Sequence, residues 1–68
     1  MTQRCTGFIQ HYNRQAGYGF LIPLGHKEPL YFEEADLEGG YRGLSVDQQV
    51  TFVFALGEGR FVAKEIRT

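Results

Sequence analysis

Aromatic side chains alternate with smaller residues in two short stretches, YGFLIP at 18–23 and LYFE at 30–33. In extended strands Tyr18 and Phe20 would share one face, and Tyr31 would lie on the outer face of the next strand. Clustered exposed rings require an explanation, and stacking of unpaired bases provides one, at about 1–3 kcal/mol per base. The alternative is that one or two of these rings pack beneath a loop. We expect Tyr18, Phe20 and Tyr31 to form an aromatic platform.

The second stretch runs directly into four acids: Glu33, Glu34, Asp36 and Glu38. Glu33 lies roughly 7 Å from Tyr31 along one strand face, within the Debye length of about 8 Å. Its repulsion of a phosphate, about 0.6 kcal/mol in a water-like dielectric, is smaller than the stacking it opposes. Two interpretations stay open. The acids form a solvated rim paired with Arg14 or Arg42, or Glu33 accepts a hydrogen bond from a base amino group such as cytosine N4.

Further candidates lie in or beside the predicted turns. Four cations either reach phosphates around the platform or are only solvated: Arg14, Arg42, Arg60 and Lys64. Phe61 either extends the platform or caps the core. Packing is the expected role of Tyr41, and His26 is expected to be exposed without a function.

An enzyme is disfavoured by the placement of the reactive side chains. Cys5 and His11 lie roughly 20 Å apart along one predicted strand, so they form no local dyad. Glu33 and Glu34 are adjacent and point apart. The chain shows neither paired zinc-ligand spacing nor a phosphate-cradling glycine loop with its lysine. We expect no catalysis, no metal and no cofactor.

Size and composition indicate one small domain, residues 1–68. A chain of 68 residues buries only about 60% of its unfolded surface. Seven basic and eight acidic residues give a net charge of -1, so an anion site depends on where the charges lie. No apolar run approaches the roughly 20 residues of a membrane helix. With no export signal and a lone Cys5, the expected location is the cytoplasm.

Period-two alternation and nine glycines favour strands over helices. The predicted strands cover residues 4–13, 18–23, 30–33, 49–54 and 60–67. Short strands at this spacing predict an all-β domain, a five-stranded antiparallel barrel of the OB-fold type. Residues predicted to fill its interior are Leu21, Leu30, Phe32, Val50, Phe52 and Phe54. We also expect a bulge or strong coiling at Gly7, one short turn over 34–37 and a hairpin loop over 56–59.

The order of these motifs resembles that of cold-shock domains, the oligonucleotide-binding barrels of bacterial cold-shock proteins. The resemblance covers nearly the whole chain, through GFIQHYN, GYGFLIP, LYF, GYRGLSVDQQVTF and AKEI in order. GYGF is similar to the first ribonucleoprotein motif of that family, and LYF to the start of the second.

The resemblance implies roles for individual residues. Tyr18, Phe20 and Tyr31 match base-stacking positions. Further matches are His11 to a tryptophan, Tyr12 to a phenylalanine, Glu33 to a histidine and Glu34 to a phenylalanine. Gln10 and Ala16 stand where the family usually has lysines. Each lost cation removes a phosphate contact, so binding is expected to be weaker than in a typical member.

The predicted function is therefore binding of single-stranded RNA or DNA, as an RNA chaperone or regulatory protein, with no membrane partner. The predicted binding residues are His11, Tyr12, Arg14, Tyr18, Phe20, Tyr31, Glu33, Arg60 and Phe61. The rival hypothesis is a protein-interaction module, because a partner's arginine can stack on Tyr31 and pair with Glu33. A homodimer formed by strand exchange or edge pairing also stays open.

Overall fold

A computed structural model describes residues 3–38 and 43–68. Within them, five strands form a closed barrel. The strands are β1 (Cys5–Asn13), β2 (Tyr18–Pro23), β3 (Leu30–Glu33), β4 (Gln49–Gly57) and β5 (Arg60–Arg67). A 3-10 helix, Glu34–Asp36, follows β3 where one short turn was expected. The predicted five-stranded barrel is confirmed. Across these residues, no helix has the length and apolar character needed to cross a membrane.

The strands follow one another around the barrel in the order β1-β2-β3-β5-β4. The predicted antiparallel arrangement holds for β1 with β2, β1 with β4, β2 with β3 and β4 with β5. The barrel closes through a parallel pairing of β3 with β5, where Tyr31 lies opposite Val62. A bridge between Leu37 and Ile66 continues this seam beyond β3.

Residues of all five strands, together with Leu37 after the 3-10 helix, fill the barrel; the buried positions alternate in β2, β3 and β4 but not in β5. The buried core includes Ile9, Leu21, Leu30, Phe32, Leu37, Val50, Phe52, Ala63 and Ile66. The predicted interior positions are confirmed except for Phe54, which is only partly buried. Its ring packs on the core edge-to-face with Phe52, centroids 5.2 Å apart, but also contacts the exposed ring of Phe61. Phe54 therefore links the core to the surface.

The predicted irregularity in β1 lies further along the strand than Gly7. Pairing with β2 shifts between Ile9 and His11, which leaves Gln10 as the extra residue of a bulge. This bulge reverses the alternation, so that Ile9 is buried, His11 is exposed and Tyr12 packs on the core. Gly7 instead permits close packing, because a Cβ there would lie 2.9 Å from the backbone oxygen of Ile22.

The hairpin between β4 and β5 is tighter than predicted. Leu56 pairs with Phe61 and Gly57 with Arg60, so the loop expected over 56–59 shrinks to Glu58 and Gly59. Both turn residues have positive φ, 27° and 82°, as a two-residue hairpin turn of type I′ requires. The longer ladder fixes Arg60 and Phe61 in the strand that lies beside β3.

Candidate functional site

Three rings on the outer face of β2 and β3 contact one another and form the platform, defined as Tyr18, Phe20 and Tyr31. The antiparallel register places Phe20 directly opposite Tyr31, and their centroids lie 5.8 Å apart at an interplanar angle of 69°. Tyr18 lies 6.0 Å from Tyr31 with nearly parallel planes, 22° apart. Each ring is half-buried, so the platform is partly accessible from solvent.

His11 and Tyr12 are neighbours in sequence but lie on different sides of the sheet. The imidazole of His11 lies 6.1 Å from the Tyr18 ring and 6.5 Å from the Phe20 ring, centroid to centroid. It therefore extends the platform onto β1. The Tyr12 ring instead stacks on Phe32 of the core at 6.0 Å, with an interplanar angle of 14°. Because of the bulge at Gln10, His11 contacts the platform while Tyr12 packs on the core.

The platform depends on the absence of a side chain at Gly19, between its two β2 rings. A Cβ at this position would lie 2.5 Å from the backbone oxygen of His11 and 2.7 Å from Cζ of Phe32. The glycine thus lets β1 approach β2 and lets the Phe32 ring pass beneath the platform. The resemblance to cold-shock domains identified the GYGF motif, and this contact explains its second glycine.

Among the described residues, two of the four acids form ion pairs at the edge of the barrel. Asp36, with a side chain only 8% exposed, accepts a hydrogen bond from the backbone N–H of Glu33 at 2.9 Å through Oδ2 and pairs through Oδ1 with Lys64 Nζ at 2.8 Å. Its hydrogen bond and charge raise the pKa of Lys64. Glu38 pairs with Arg67, whose hydrogen bond lowers the pKa of the Glu38 carboxyl.

Within the described residues, Asp36 and Glu38 are therefore paired with cations other than the expected Arg14. Lys64 and Arg67 supply the cations, whereas Arg14 lies exposed in the turn after β1 and forms no ion pair among the residues described. Lys64, expected to reach phosphates, is held by Asp36. Arg42 and Tyr41 lie outside the described residues.

Tyr31 lies between opposite charges. The guanidinium carbon of Arg60 lies 5.1 Å from the centroid of the Tyr31 ring, within cation–π range. Partial desolvation, followed by the charge and hydrogen bond of the Glu33 carboxylate, raises the pKa of Tyr31, and the Arg60 charge opposes this rise. The geometry thus adds Arg60 to Tyr31 and Glu33, which the sequence had already placed on one strand face.

Two depressions meet at Tyr31 and Arg60. The smaller, of about 260 Å³, lies on the side of Glu33 and Lys64. The larger, of about 620 Å³, runs from Phe20 and Tyr31 to Phe61 and is called here the side groove. Sequence reasoning included Phe61 but assigned no role here to His26 or Phe54, whose rings also line the groove. The alternation of residues within a strand could not predict this grouping of rings. The grouping joins the loop after β2 to β4 and β5, which lie far from that loop in sequence.

A closed five-stranded barrel of this strand order is an OB-fold barrel. The chain belongs to the cold-shock family. It is 32% identical over 53 residues to the cold shock-like protein CspA of Bordetella pertussis, covering 76% of this chain and 79% of that protein. It is 28% identical over 67 residues to the cold shock protein CapB of Pseudomonas syringae pv. tomato, covering 98% and 97% of the two chains.

A solved structure shares the fold. Drosophila Unr CSD456 superposes with a TM-score of 0.78 at 25% identity, over 96% of this chain and 26% of that one. No protein-family model matches the chain. The relatives confirm the resemblance drawn from GYGF and LYF, and cold-shock domains as a class generally bind nucleic acid. In the part of the chain that is described, no three His, Cys, Asp or Glu side chains group as metal ligands.

Proposed function

We propose that this protein binds single-stranded RNA or DNA by stacking unpaired bases on the platform. The observation that carries the proposal is the mutual contact of Tyr18, Phe20 and Tyr31 on one outer sheet face, with centroids 5.8–6.1 Å apart. Rings of this kind accept any base, because every base has a π-face. Membership of the cold-shock family supports the same function.

Stacking, rather than charge, is expected to dominate the affinity. The chain carries a net charge of -1, and two cations beside the barrel are already paired with Asp36 and Glu38. Arg60 lies over Tyr31, one of the platform rings. Its guanidinium can remain stacked at Tyr31 while it contacts a phosphate or a base edge. The protein would hold strands unpaired without catalysing a reaction, as an RNA chaperone or a regulator.

Fluorescence anisotropy with labelled oligopyrimidine strands at low salt tests the proposal. Replacing Phe20 or Tyr31 with alanine should weaken binding by about 5-fold or more, the equivalent of one stacked base. Leu24→Ala is the matched control, since Leu24 is 65% exposed and lines neither depression. Circular dichroism verifies that each variant is folded. No binding by the unmodified protein at low salt would contradict the function.

A second candidate function, binding of a basic protein segment, is favoured by one observation. The Arg60 guanidinium already lies over the Tyr31 ring near Glu33, so the same ring and carboxylate can accept an arginine from a partner. Separate titrations with an arginine-rich peptide and with an oligonucleotide distinguish the candidates. If this protein binds the peptide but not the oligonucleotide, the second function is supported over the first.

A further inference from the structure

We infer that the side groove is an additional subsite for an unpaired base, so that the bound strand extends past the platform toward the hairpin of β4 and β5. This inference rests on the proposed function and deepens it. The groove starts at Phe20 and Tyr31 and continues to Phe61. Its volume of about 620 Å³ falls within the roughly 300–1,000 Å³ of small-molecule pockets.

A second group of rings forms the far side of the groove. Phe54 lies at its centre, with its ring centroid 6.1 Å from that of Phe61 at 88° and 6.1 Å from that of His26 at 55°. The three rings come from β4, β5 and the loop after β2. Phe61 is 61% exposed, although an aromatic ring without a ligand gains by burial. A planar base inserted beside it would bury that surface.

The occupant is argued from continuity with the platform and from charge. Phe20 and Tyr31 belong to both surfaces, so a strand that leaves the platform enters the groove without crossing another feature. The lining is mainly aromatic and aliphatic, and its two charged residues are Arg60 and Glu28. An uncharged base suits the aromatic interior, while Arg60 can hold the adjoining phosphate.

The subsite predicts a measurable site length. Dissociation constants are measured for oligothymidines from about 4 to about 12 nucleotides, within the range of OB-fold site sizes. For the unmodified protein, affinity should continue to rise with length after the platform is filled. In Phe61→Ala the rise should stop earlier, and the longest strands should bind about 5-fold or more weakly, because one stacked base is lost. His26→Ala should also weaken the binding of the longest strands, but by less than Phe61→Ala.

Leu56→Ala is the matched control, because Leu56 is 72% exposed and pairs with Phe61 across the hairpin but does not line the groove. Its length dependence should equal that of the unmodified protein. Equal curves for Phe61→Ala and the unmodified protein would overturn the subsite while leaving the platform function intact. Failure of the platform itself would be seen differently, as absence of binding at every length.

Discussion

At the scale of single residues, Tyr31 unites the features that distinguish this site. Its ring contacts Tyr18 and Phe20, Arg60 lies over it, and the nearby Glu33 carboxylate contributes to raising its pKa. The two charges oppose each other in their effect on a polyanion. Under the proposed function, Glu33 and Arg60 would therefore adjust the affinity at Tyr31, which would not depend on the ring alone.

Replacing Glu33 with glutamine should strengthen oligonucleotide binding about 2- to 3-fold at low salt, because it removes a repulsion of about 0.6 kcal/mol for one phosphate. The gain should shrink as added salt screens the charge. Anisotropy titrations at several salt concentrations measure both effects. Glu65→Gln removes the same charge from a position that lines neither depression. A loss of affinity specific to cytosine-rich strands would instead show that Glu33 reads a base amino group.

The raised pKa of Tyr31 gives a second test at the same residue. Partial desolvation and then Glu33 raise this pKa, so the shift contributes stability below the ordinary tyrosine pKa of about 10. That contribution is lost as pH rises through the raised value. Ultraviolet titration of tyrosinate should show one late-titrating tyrosine that is missing in Tyr31→Phe. Glu33→Gln should lower the pKa of Tyr31, and Arg60→Gln should raise it. Shifts in the opposite directions would contradict the charge arrangement.

At the scale of elements, the spacing of β1 and β2 is set by Gly19. Gly19→Ala should destabilise the barrel by about 3 kcal/mol or more, because the new methyl group would meet the backbone oxygen of His11 at 2.5 Å and the Phe32 ring at 2.7 Å. Urea unfolding measures this change. Gly57→Ala is the control in β4: its Cβ would meet Val62 at ordinary contact distances of 3.5 and 3.7 Å, so it should be nearly neutral or slightly stabilising. Equal stability of the two variants would contradict this account of the motif.

Strand alternation was sufficient to predict the barrel and its platform, since Tyr18, Phe20 and Tyr31 lie in regular stretches. The same pattern gave wrong predictions where the strands are irregular, at the bulge in β1 and at the hairpin between β4 and β5. A bulge leaves the polarity pattern of β1 ambiguous, so Gln10 was not recognised as the extra residue. The hairpin tip also looked like a loop, because the two glycines of LGEG are typical of turns, whereas Leu56 and Gly57 in fact pair with Phe61 and Arg60.

At the scale of the whole molecule, the balance of charge predicts a weak response to salt. With Lys64 and Arg67 already paired, we expect about two phosphate contacts, and thus a slope of about -1.4 in a plot of log K against log salt concentration. Anisotropy titrations over a salt series give this slope. Arg60→Gln should reduce its magnitude by about 0.7, whereas Lys64→Gln should change it little. A steep slope in the unmodified protein would indicate that charge, rather than stacking, dominates binding.

The parallel seam between β3 and β5 has a consequence for ligand-linked folding. Tyr31 stands opposite Val62 at the point of closure, and Arg60 and Phe61 precede Val62 in the same strand. A nucleic acid that contacts Tyr31 and Phe61 together would fasten the two strands that close the barrel. The unfolded chain lacks this combined binding surface, so the ligand would bind only the folded state. A ligand concentration of 100 times the dissociation constant would then add about 2.7 kcal/mol to the free energy of unfolding. For so small a domain, occupancy by nucleic acid would then govern its lifetime against proteolysis.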